Sequence, residues 1–241
     1  MRIQYIRNPP LKKVIIEFQF EKVFELKVSA VAILYNRIQE IYNIEPNIGL
    51  FPKKGKSFRI SLGTLRYSDE ENKKSFEVGE NFIIFSTIEY SRWEILRDEI
   101  LGVLLKIDDL LKGGVIINIF ITYIDEFNVE KDGFVFERNF MINLTDKPNW
   151  KIDFSDFHLG LVPFKDNGKK VILRIKSNED LPDNYRFSVE TVFISRENQI
   201  KMDMDILKKS LDSGHELISS YFAELIYNTQ LQEKIGMIIE E

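Results

Sequence analysis

The sequence predicts an α+β fold, with a mainly antiparallel sheet and amphipathic helices packed on one of its faces. Several short stretches alternate apolar and polar residues, as half-buried strands do. Two long stretches repeat apolar residues every three or four positions, as amphipathic helices do. The order is strand, helix, strands, helix, strand, then strands and a final helix, which favours antiparallel pairing. The same order also allows two related half-domains.

The composition is that of a globular protein with a large core. The 241 residues are 44% hydrophobic and 29% charged and include 19 phenylalanines, which suits one large domain or two packed small ones. The chain has no cysteine, so disulfides and cysteine-ligated zinc are excluded. A net charge of −5 argues against a broad nucleic-acid surface. We see no signal peptide or membrane-length apolar run and expect a soluble, cytoplasmic protein.

Residues 1–128 form the first predicted half of the chain. Pro9 and Pro10 end a short lead-in, because paired prolines force extended backbone. The predicted elements are a strand over 12–20, a helix over 26–42, a loop over 43–56, a strand over 58–62, a hairpin turning at 79–81, a helix over 93–111 and a strand over 115–123. The last strand is apolar on both alternations, which is typical of a strand covered on both faces.

Residues 129–241 form the second predicted half, packed with the first as one unit. The charged stretch 125–133 marks the predicted boundary. Strand-like runs follow over 134–144, 157–164, 170–175 and 185–195, with Asp166-Asn167-Gly168 as a turn. A long helix over 205–227 closes the chain. One face of it carries Leu207, Leu211, His215, Ile218 and Phe222.

Four segments together follow a known pattern. They are Asn8-Pro9-Pro10 with the strand after it, Trp93 at a helix start, Ile121-Thr122-Tyr123-Ile124-Asp125, and Gly214-His215-Glu216 in the last helix. This pattern resembles a sporadically distributed prokaryotic family of uncharacterised proteins, in which arginine stands where this chain has Thr122. The resemblance implies an intracellular protein with a patchy, mobile-gene-like occurrence. It implies no reaction, cofactor or established site residue.

The tripeptide Gly55-Lys56-Ser57 matches only the end of a phosphate-binding P-loop. Five residues separate Gly49 from Gly55, whereas the P-loop requires four. The lysine should also open a helix, yet the alternation after it predicts a strand. We therefore interpret this segment as an ordinary loop, and its lysines Lys53, Lys54 and Lys56 as solvated.

The two histidines, His158 and His215, are the candidate site residues. Imidazole titrates near neutral pH and binds metals, but a metal or acid–base site would need additional carboxylates. Because His215 lies in an apolar helix face, we predict that it is buried and hydrogen-bonded to a carbonyl or hydroxyl group. Asp203 and Asp205 are predicted to cap the helix after them. The acidic pairs Asp108-Asp109 and Asp125-Glu126 are predicted to face solvent.

No local catalytic, cofactor or metal motif is present, so no residue is assigned to catalysis, to a cofactor or to a metal. The hypothesis we favour is a non-enzymatic binding or regulatory component, and the resemblance suggests a mobile defence or toxin–antitoxin-like system. The alternative is an enzyme acting on nucleic acid or nucleotide through scattered carboxylates and a histidine. We expect the partner to be another protein or a second copy of the chain. Nucleic acid is less favoured, and no membrane is expected.

Overall fold

A computed structural model of the protein has the α+β class that the sequence predicts, with antiparallel strands and helices packed against them. It describes residues 2–6, 10–21, 37, 57–61, 64–68, 73–79, 81–111, 114–132, 134–142, 154, 157–180, 183–201, 203–227 and 229–240. The strands are β1 (Arg2–Ile6), β2 (Leu11–Phe20), β3 (Ser57–Ser61), β4 (Thr64–Ser68), β5 (Lys74–Val78), β6 (Phe82–Thr87), β7 (Val115–Glu130), β8 (His158–Asp166), β9 (Lys169–Asp180), β10 (Asn184–Lys201) and β11 (Met237–Glu240). The helices are α1 (Trp93–Leu111), α2 (Phe136–Asn139), α3 (Met204–Ile226) and α4 (Gln230–Ile235).

The chain divides into two compact units, and neither is a continuous stretch of sequence. The first unit comprises Lys13–Ile121 and Ile194–Ser213, and the second comprises Met1–Lys12, Thr122–Phe193 and Gly214–Glu241. This division differs from the predicted halves, because β7, β10 and α3 each contribute residues to both units. That residues 1–128 and 129–241 form two related half-domains stays a prediction.

The first unit is built on β2 and its antiparallel neighbours, in the order β3, β4, β5, β6, β2. The inward residues of β2 alternate along the strand as predicted, and each is at most 1% exposed; they are Val14, Ile16, Phe18 and Phe20. The predicted hairpin around 79–81 is confirmed by the pairing of β5 with β6. Gly79 is needed there, because a Cβ at this position would lie 2.2 Å from the ring of Phe82.

Helix α1 of the first unit is confirmed at its predicted length. Its inner face lies over β2, β5 and β6, and it shares a small pocket with them lined by Val14, Ile16, Phe85, Leu96 and Ile100. Lys74 of β5 forms an ion pair of 2.7 Å with Glu99 of the helix. Burying an apolar stripe against a sheet is the main source of stability for such a helix.

The second unit contains strand β7 beyond residue 121, followed in strand order by β10, β9 and β8. Its core is aromatic: buried phenylalanines from β7, β10, α2 and α3 pack with aliphatic residues of β9. The ring of Phe222 stacks on that of Phe127, with centroids 6.2 Å apart and planes 18° apart. The predicted packing of the late helix on a sheet through Phe222 is thus confirmed.

The prediction of a strand over 134–144 is wrong, because residues Phe136–Asn139 form the short helix α2. Phe136 and Phe140 lie four positions apart and their rings pack at 4.9 Å, with both side chains buried. A helical turn lets both rings enter the same aromatic core, whereas a strand would extend them along it. Short apolar runs do not distinguish helix from strand by pattern alone.

Three elements at the chain ends were not predicted. Residues 1–10 were interpreted as a lead-in, yet β1 pairs antiparallel with β11, with Arg2 opposite Glu240 and Ile3 opposite Ile239. Helix α4 precedes β11 and is capped by Thr229, whose side chain accepts a hydrogen bond from the Gln232 amide. The pairing joins residues at opposite ends of the sequence, so no local pattern predicts it.

Other predictions fall wholly or partly outside the described residues. The predicted helix over 26–42 lies outside the described residues except for Arg37, which is helical and pairs with Asp109 of α1. The loop over 43–56, with its three lysines, lies entirely outside them. The strand after Lys56 is confirmed through Ser61 by β3, so the segment that would be the P-loop helix is extended. Among the helices of the described chain, none is long and apolar enough to cross a membrane.

Candidate functional site

Strand β8 of the β8–β9 hairpin is exposed along most of its length. Its turn follows the predicted Asp166-Asn167-Gly168 sequence, with Asn167 at φ 44° and Gly168 at φ 82°. Two consecutive residues with positive φ form the tight turn whose twist matches that of the flanking strands. Strand β8 stands at the end of the strand order, so it is a sheet edge within the described chain.

A β-bulge in β8 decides which side chains face outward. Leu161 pairs with Leu173 and Phe164 pairs with Val171, so the two residues Val162 and Pro163 stand opposite one residue of β9. The extra residue reverses the in–out alternation beyond it. Phe164 therefore turns inward, with its ring 6.2 Å from that of Tyr221 on α3. Without the bulge, Phe164 would lie on the outer face.

The outer face of the hairpin is basic as a consequence. His158 stands opposite Lys176, Gly160 opposite Arg174, and Lys165 opposite Lys170, and residues paired across strands share a face. We call this set the basic strip; its members are His158, Lys165, Lys170, Arg174 and Lys176. Lys170 is half-buried and the other four are exposed. Arg174 also binds Glu190 of β10 at 3.1 Å.

Gly160 interrupts the basic strip with an open notch. A Cβ placed on Gly160 would meet no atom within 4 Å, and its φ is not in the positive region. The side chain of Arg174, opposite the notch, is 52% exposed. Next to the notch, Leu161 exposes 37% of its surface on the opposite face of the strand, and the bulge residue Val162 exposes 57%. The notch and the guanidinium form an accessible surface on the outer face, and these two apolar side chains are accessible beside it.

His215 lies in a different environment, between α3 and β7. Its Nδ1 and the hydroxyl of Tyr123 are 2.8 Å apart in a hydrogen bond, and the two rings are 5.9 Å apart. His215 is half-buried and Tyr123 is 7% exposed. The predicted hydroxyl partner of His215 is confirmed, whereas the predicted burial is wrong, because the ring is only half-buried. A hydrogen bond between a helix and a central strand fixes the orientation of the ring.

Asp125 corrects the prediction that the Asp125-Glu126 pair faces solvent. The strand β7 continues to Glu130 in place of the predicted boundary loop, and Asp125 faces the core with 5% exposure. Tyr123, Asp125 and Phe127 share one face of the strand, because side chains alternate. Burial raises the pKa of Asp125 from 3.8 to about 8, since desolvation disfavours the carboxylate.

The contacts of α3 place Asp125 beneath the middle of that helix. Tyr123 meets His215 at one point of the strand and Phe127 meets Phe222 further along it. The helical stretch between these contacts contains the fully buried Ile218. Asp125 lies between Tyr123 and Phe127 on the strand, on the face that α3 covers, and is 5% exposed. This burial explains the loss of solvation.

In the first unit, a polar network joins α1 to the start of α3. The indole Nε1 of Trp93 donates to Asp212 at 2.7 Å, and Arg97 donates to both oxygens of the same carboxylate at 2.9 and 3.0 Å. Arg97 is 9% exposed, and a bidentate pair of this kind has a fixed geometry. These side chains are hydrogen-bonded to one another, so we interpret the network as a structural contact that holds the two helices together.

The remaining predicted acids are structural. Asp203 accepts hydrogen bonds from the amides of Asp205 and Ile206 at 2.9 and 3.1 Å, which confirms its capping role. Asp109 is 64% exposed and pairs with Arg37. In the part of the chain that the structure describes, no three histidine or acidic side chains group together as a metal site.

Sequence reasoning missed Asp125 and the basic strip for different reasons. The continuous alternation of β7 puts Tyr123 and Asp125 on the same face as buried Ile121, so the burial of Asp125 could have been predicted from the pattern. In the basic strip, Lys170, Arg174 and Lys176 follow the plain alternation of β9, but Lys165 joins them only because the bulge at Val162 and Pro163 shifts the alternation of β8, and only the register reveals that shift.

The fold and these surfaces can be compared with known proteins. No protein-family model matches the chain, and no curated protein resembles it significantly.

Proposed function

We propose that this protein is a non-enzymatic binding or regulatory component that recruits an acidic partner protein through the basic strip of the β8–β9 hairpin. The observation that carries the proposal is the concentration of basic side chains on one exposed face of a sheet edge. The chain as a whole carries a net charge of −5, so this local positive field is opposite in sign to the rest. A local field of this kind steers and selects charged partners.

The positive charges on the hairpin repel one another and lower the stability of the free hairpin. Lys165 stands directly opposite Lys170. Like charges directly opposite on neighbouring strands are destabilising. Negative groups from a partner would relieve this repulsion. A charge pattern that weakens the free hairpin and is relieved by an anion supports a binding role.

A protein partner fits this surface better than nucleic acid does. Surfaces that bind single-stranded nucleic acid combine positive charge with aromatic side chains for base stacking. On the hairpin, the bulge turns Phe164 inward against Tyr221, and the basic strip itself contains no phenylalanine, tyrosine or tryptophan. The exposed Leu161 and Val162 instead suit the aliphatic side chains of a polypeptide.

The family resemblance suggests a biological context for the proposed function. We propose membership of the sporadically distributed prokaryotic family, and a role in a mobile defence or toxin–antitoxin-like system. We also propose that the helices lie on one face of the sheet and that the halves 1–128 and 129–241 are related. The presence of one long amphipathic helix in each half, α1 and α3, supports this relation.

The second candidate function is an enzyme acting on nucleic acid or nucleotide. Asp125 favours it, since a buried carboxyl group with a pKa raised to about 8 is suited to proton transfer near neutral pH. The neighbouring Tyr123–His215 pair would complete a scattered polar site. We favour the binding function because Asp125 is buried, whereas the basic strip is open to solvent.

Affinity capture from native lysate tests the proposed function. The bait is compared with a charge-reversed hairpin variant, Lys170→Glu with Arg174→Glu and Lys176→Glu. The matched control reverses three exposed lysines of the helices, Lys106, Lys208 and Lys209, so both variants carry the same net charge. We expect one partner to be captured by the parent and the control and lost with the hairpin variant. Identical capture by all three baits would contradict the proposal.

A parallel assay tests the enzymatic alternative. The double variant Asp125→Asn with His215→Gln is assayed against the parent for hydrolysis of nucleoside triphosphates and of single-stranded DNA and RNA. We expect no hydrolysis by either protein. Turnover by the parent that the double variant loses, while remaining folded by circular dichroism, would make the enzyme the correct function.

A further inference from the structure

We infer that the β8 edge binds an extended, acidic segment of the partner as an added strand, with one acidic side chain seated over Gly160 against Arg174. This inference rests on the proposed function and specifies how its partner is recognised. Strand addition to a sheet edge is a recurring mode of peptide recognition, in which main-chain hydrogen bonds supply affinity and side-chain positions supply specificity.

The backbone of β8 offers the first part of the site. As the last strand in the order, it pairs with β9 on one side and forms an edge on the other, within the described chain. An edge strand directs one row of N–H and C=O groups outward. The bulge interrupts the regular register of β8, and Pro163 cannot donate a hydrogen bond to an added strand, because proline lacks an N–H group. The stretch available to an added strand is therefore residues 158–162.

Gly160 supplies the second part. An added strand would lie about 4.8 Å from β8, and its residue opposite Gly160 would share the face that carries Arg174. No side chain stands between them, and the space above Gly160 is open. A glutamate or aspartate at that position can therefore reach across β8 to the guanidinium. Arginine has five N–H donors, enough to hold this carboxylate as well as Glu190.

The rest of the basic strip sets the pattern of the bound segment. His158 and Lys176 lie on one side of the notch, and Lys165 and Lys170 lie on the other. Because side chains on one face recur every second residue, a strand added along residues 158–162 would place alternate side chains on the face that carries Lys176 and Arg174. The residues between them face the side of Leu161, which is 37% exposed. The ligand class is therefore an extended peptide that alternates acidic and aliphatic residues.

The same charges argue against a second copy as the occupant. Antiparallel pairing of β8 with β8 of another copy would bring two basic strips onto one face. Like charges facing each other across strands are destabilising. An acidic partner removes this repulsion, whereas a second copy doubles it.

The test uses a fluorescent peptide of about ten residues that alternates glutamate and valine, with a glutamine-for-glutamate peptide as its control. Binding to the full chain is followed by fluorescence anisotropy. Gly160→Glu fills the notch and places a carboxylate at Arg174, and Arg174→Gln removes the charge. We expect each variant to weaken binding at least about tenfold, as loss of a charge-assisted hydrogen bond does.

The matched control is Gly102→Glu on α1, where a Cβ also meets no atom within 4 Å; it should bind like the parent. Circular dichroism checks the fold of every variant. Hydrogen exchange of the amides of residues 158–162 should slow when the peptide binds. If Gly160→Glu does not fold, Arg174→Gln and the exchange data still decide the outcome.

Several results would overturn the inference. These are equal binding of the glutamine peptide, no binding of the glutamate peptide, no slowing of exchange in residues 158–162, tighter binding of a single-stranded oligonucleotide, or dimerisation that Gly160→Glu abolishes. The two proposals fail separately. Hairpin-dependent capture of a partner without peptide binding removes strand addition alone, whereas peptide binding without hairpin-dependent capture removes the proposed function.

Discussion

Polar residues face solvent on the β8–β9 hairpin, whereas at the contact between β7 and α3 they pack against other side chains. On the hairpin, His158 and Arg174 face solvent, and the bulge keeps the apolar Phe164 inside. Beneath α3, His215 is bonded to Tyr123 and Asp125 is enclosed. Both regions belong to the second unit and each contains one of the two histidines. The comparison teaches that a polar residue in an apolar pattern marks packing here, and that the proposed binding surface lies where the pattern is interrupted.

The largest expected effect that tests this comparison is the pH dependence that Asp125 gives to the free energy of unfolding. Because its pKa in the folded protein is about 8, the folded state retains a proton that the unfolded chain releases near pH 4. The contribution of Asp125 to stability is then fully present below pH 4 and is lost as the pH rises to 8. Asp125→Asn removes this loss, so urea unfolding at pH 8 should show a gain of up to roughly 5 kcal/mol.

At pH 4 the same variant should match the parent, because both side chains are then neutral. Asp166→Asn removes an exposed carboxylate in the hairpin turn and is the control, whose effect on stability at pH 8 should be much smaller. If the difference in stability between Asp125→Asn and the parent did not grow between pH 4 and pH 8, Asp125 would be solvated, and the contrast between the two regions would be lost.

The second effect concerns the apolar part of the α3 contact. Phe222→Ala removes a ring that is 6% exposed and stacked on Phe127, which should lower the free energy of unfolding by about 3–5 kcal/mol. Thermal and urea melts measure this loss. Leu161→Ala on the hairpin is the matched control and should cost much less, because Leu161 is 37% exposed. Equal losses would show that the hairpin is as much a part of the core as α3.

The third effect concerns the His215 hydrogen bond. Tyr123→Phe removes the hydroxyl and leaves the ring, and should lower the free energy of unfolding by about 1–2 kcal/mol. Tyr221→Phe, a half-buried tyrosine on the same helix, serves as the control. Partner capture should be unchanged in both variants. Tyr123→Phe that melts like the parent but no longer captures the partner would assign the pair to a binding site.

The smallest effect tests the hairpin turn. Gly168 has φ 82°, a conformation that costs other residues about 1 kcal/mol. Gly168→Ala should lower stability by that amount in a urea melt. Gly160→Ala lies in the same hairpin without positive φ and with open space around it, so it should be nearly neutral. If both substitutions cost the same, the turn does not position the basic strip.

Much of the local structure could be predicted because it depends on neighbouring residues alone. The alternation in β2 fixed its inward face, the spacing in α1 and α3 fixed their buried stripes, and Asn167-Gly168 fixed a tight turn. These features follow from the strand period of two, the helical period of 3.6 and the freedom of glycine at positive φ. The cap formed by Asp203 also follows from chemistry within one helical turn.

Tertiary structure alone decided the rest. Packing in the aromatic core favours a helix over residues 136–139. Strand β1 pairs with β11, which lies at the other end of the sequence. The pairing of Tyr123 with His215 depends on how α3 lies along β7, and the place of Lys165 in the basic strip depends on a bulge visible only in the register of β8 against β9. The sequence by itself determined which residues alternate or repeat. Contacts between distant segments determined what each face meets, because burial and register are properties of paired elements and not of either element alone.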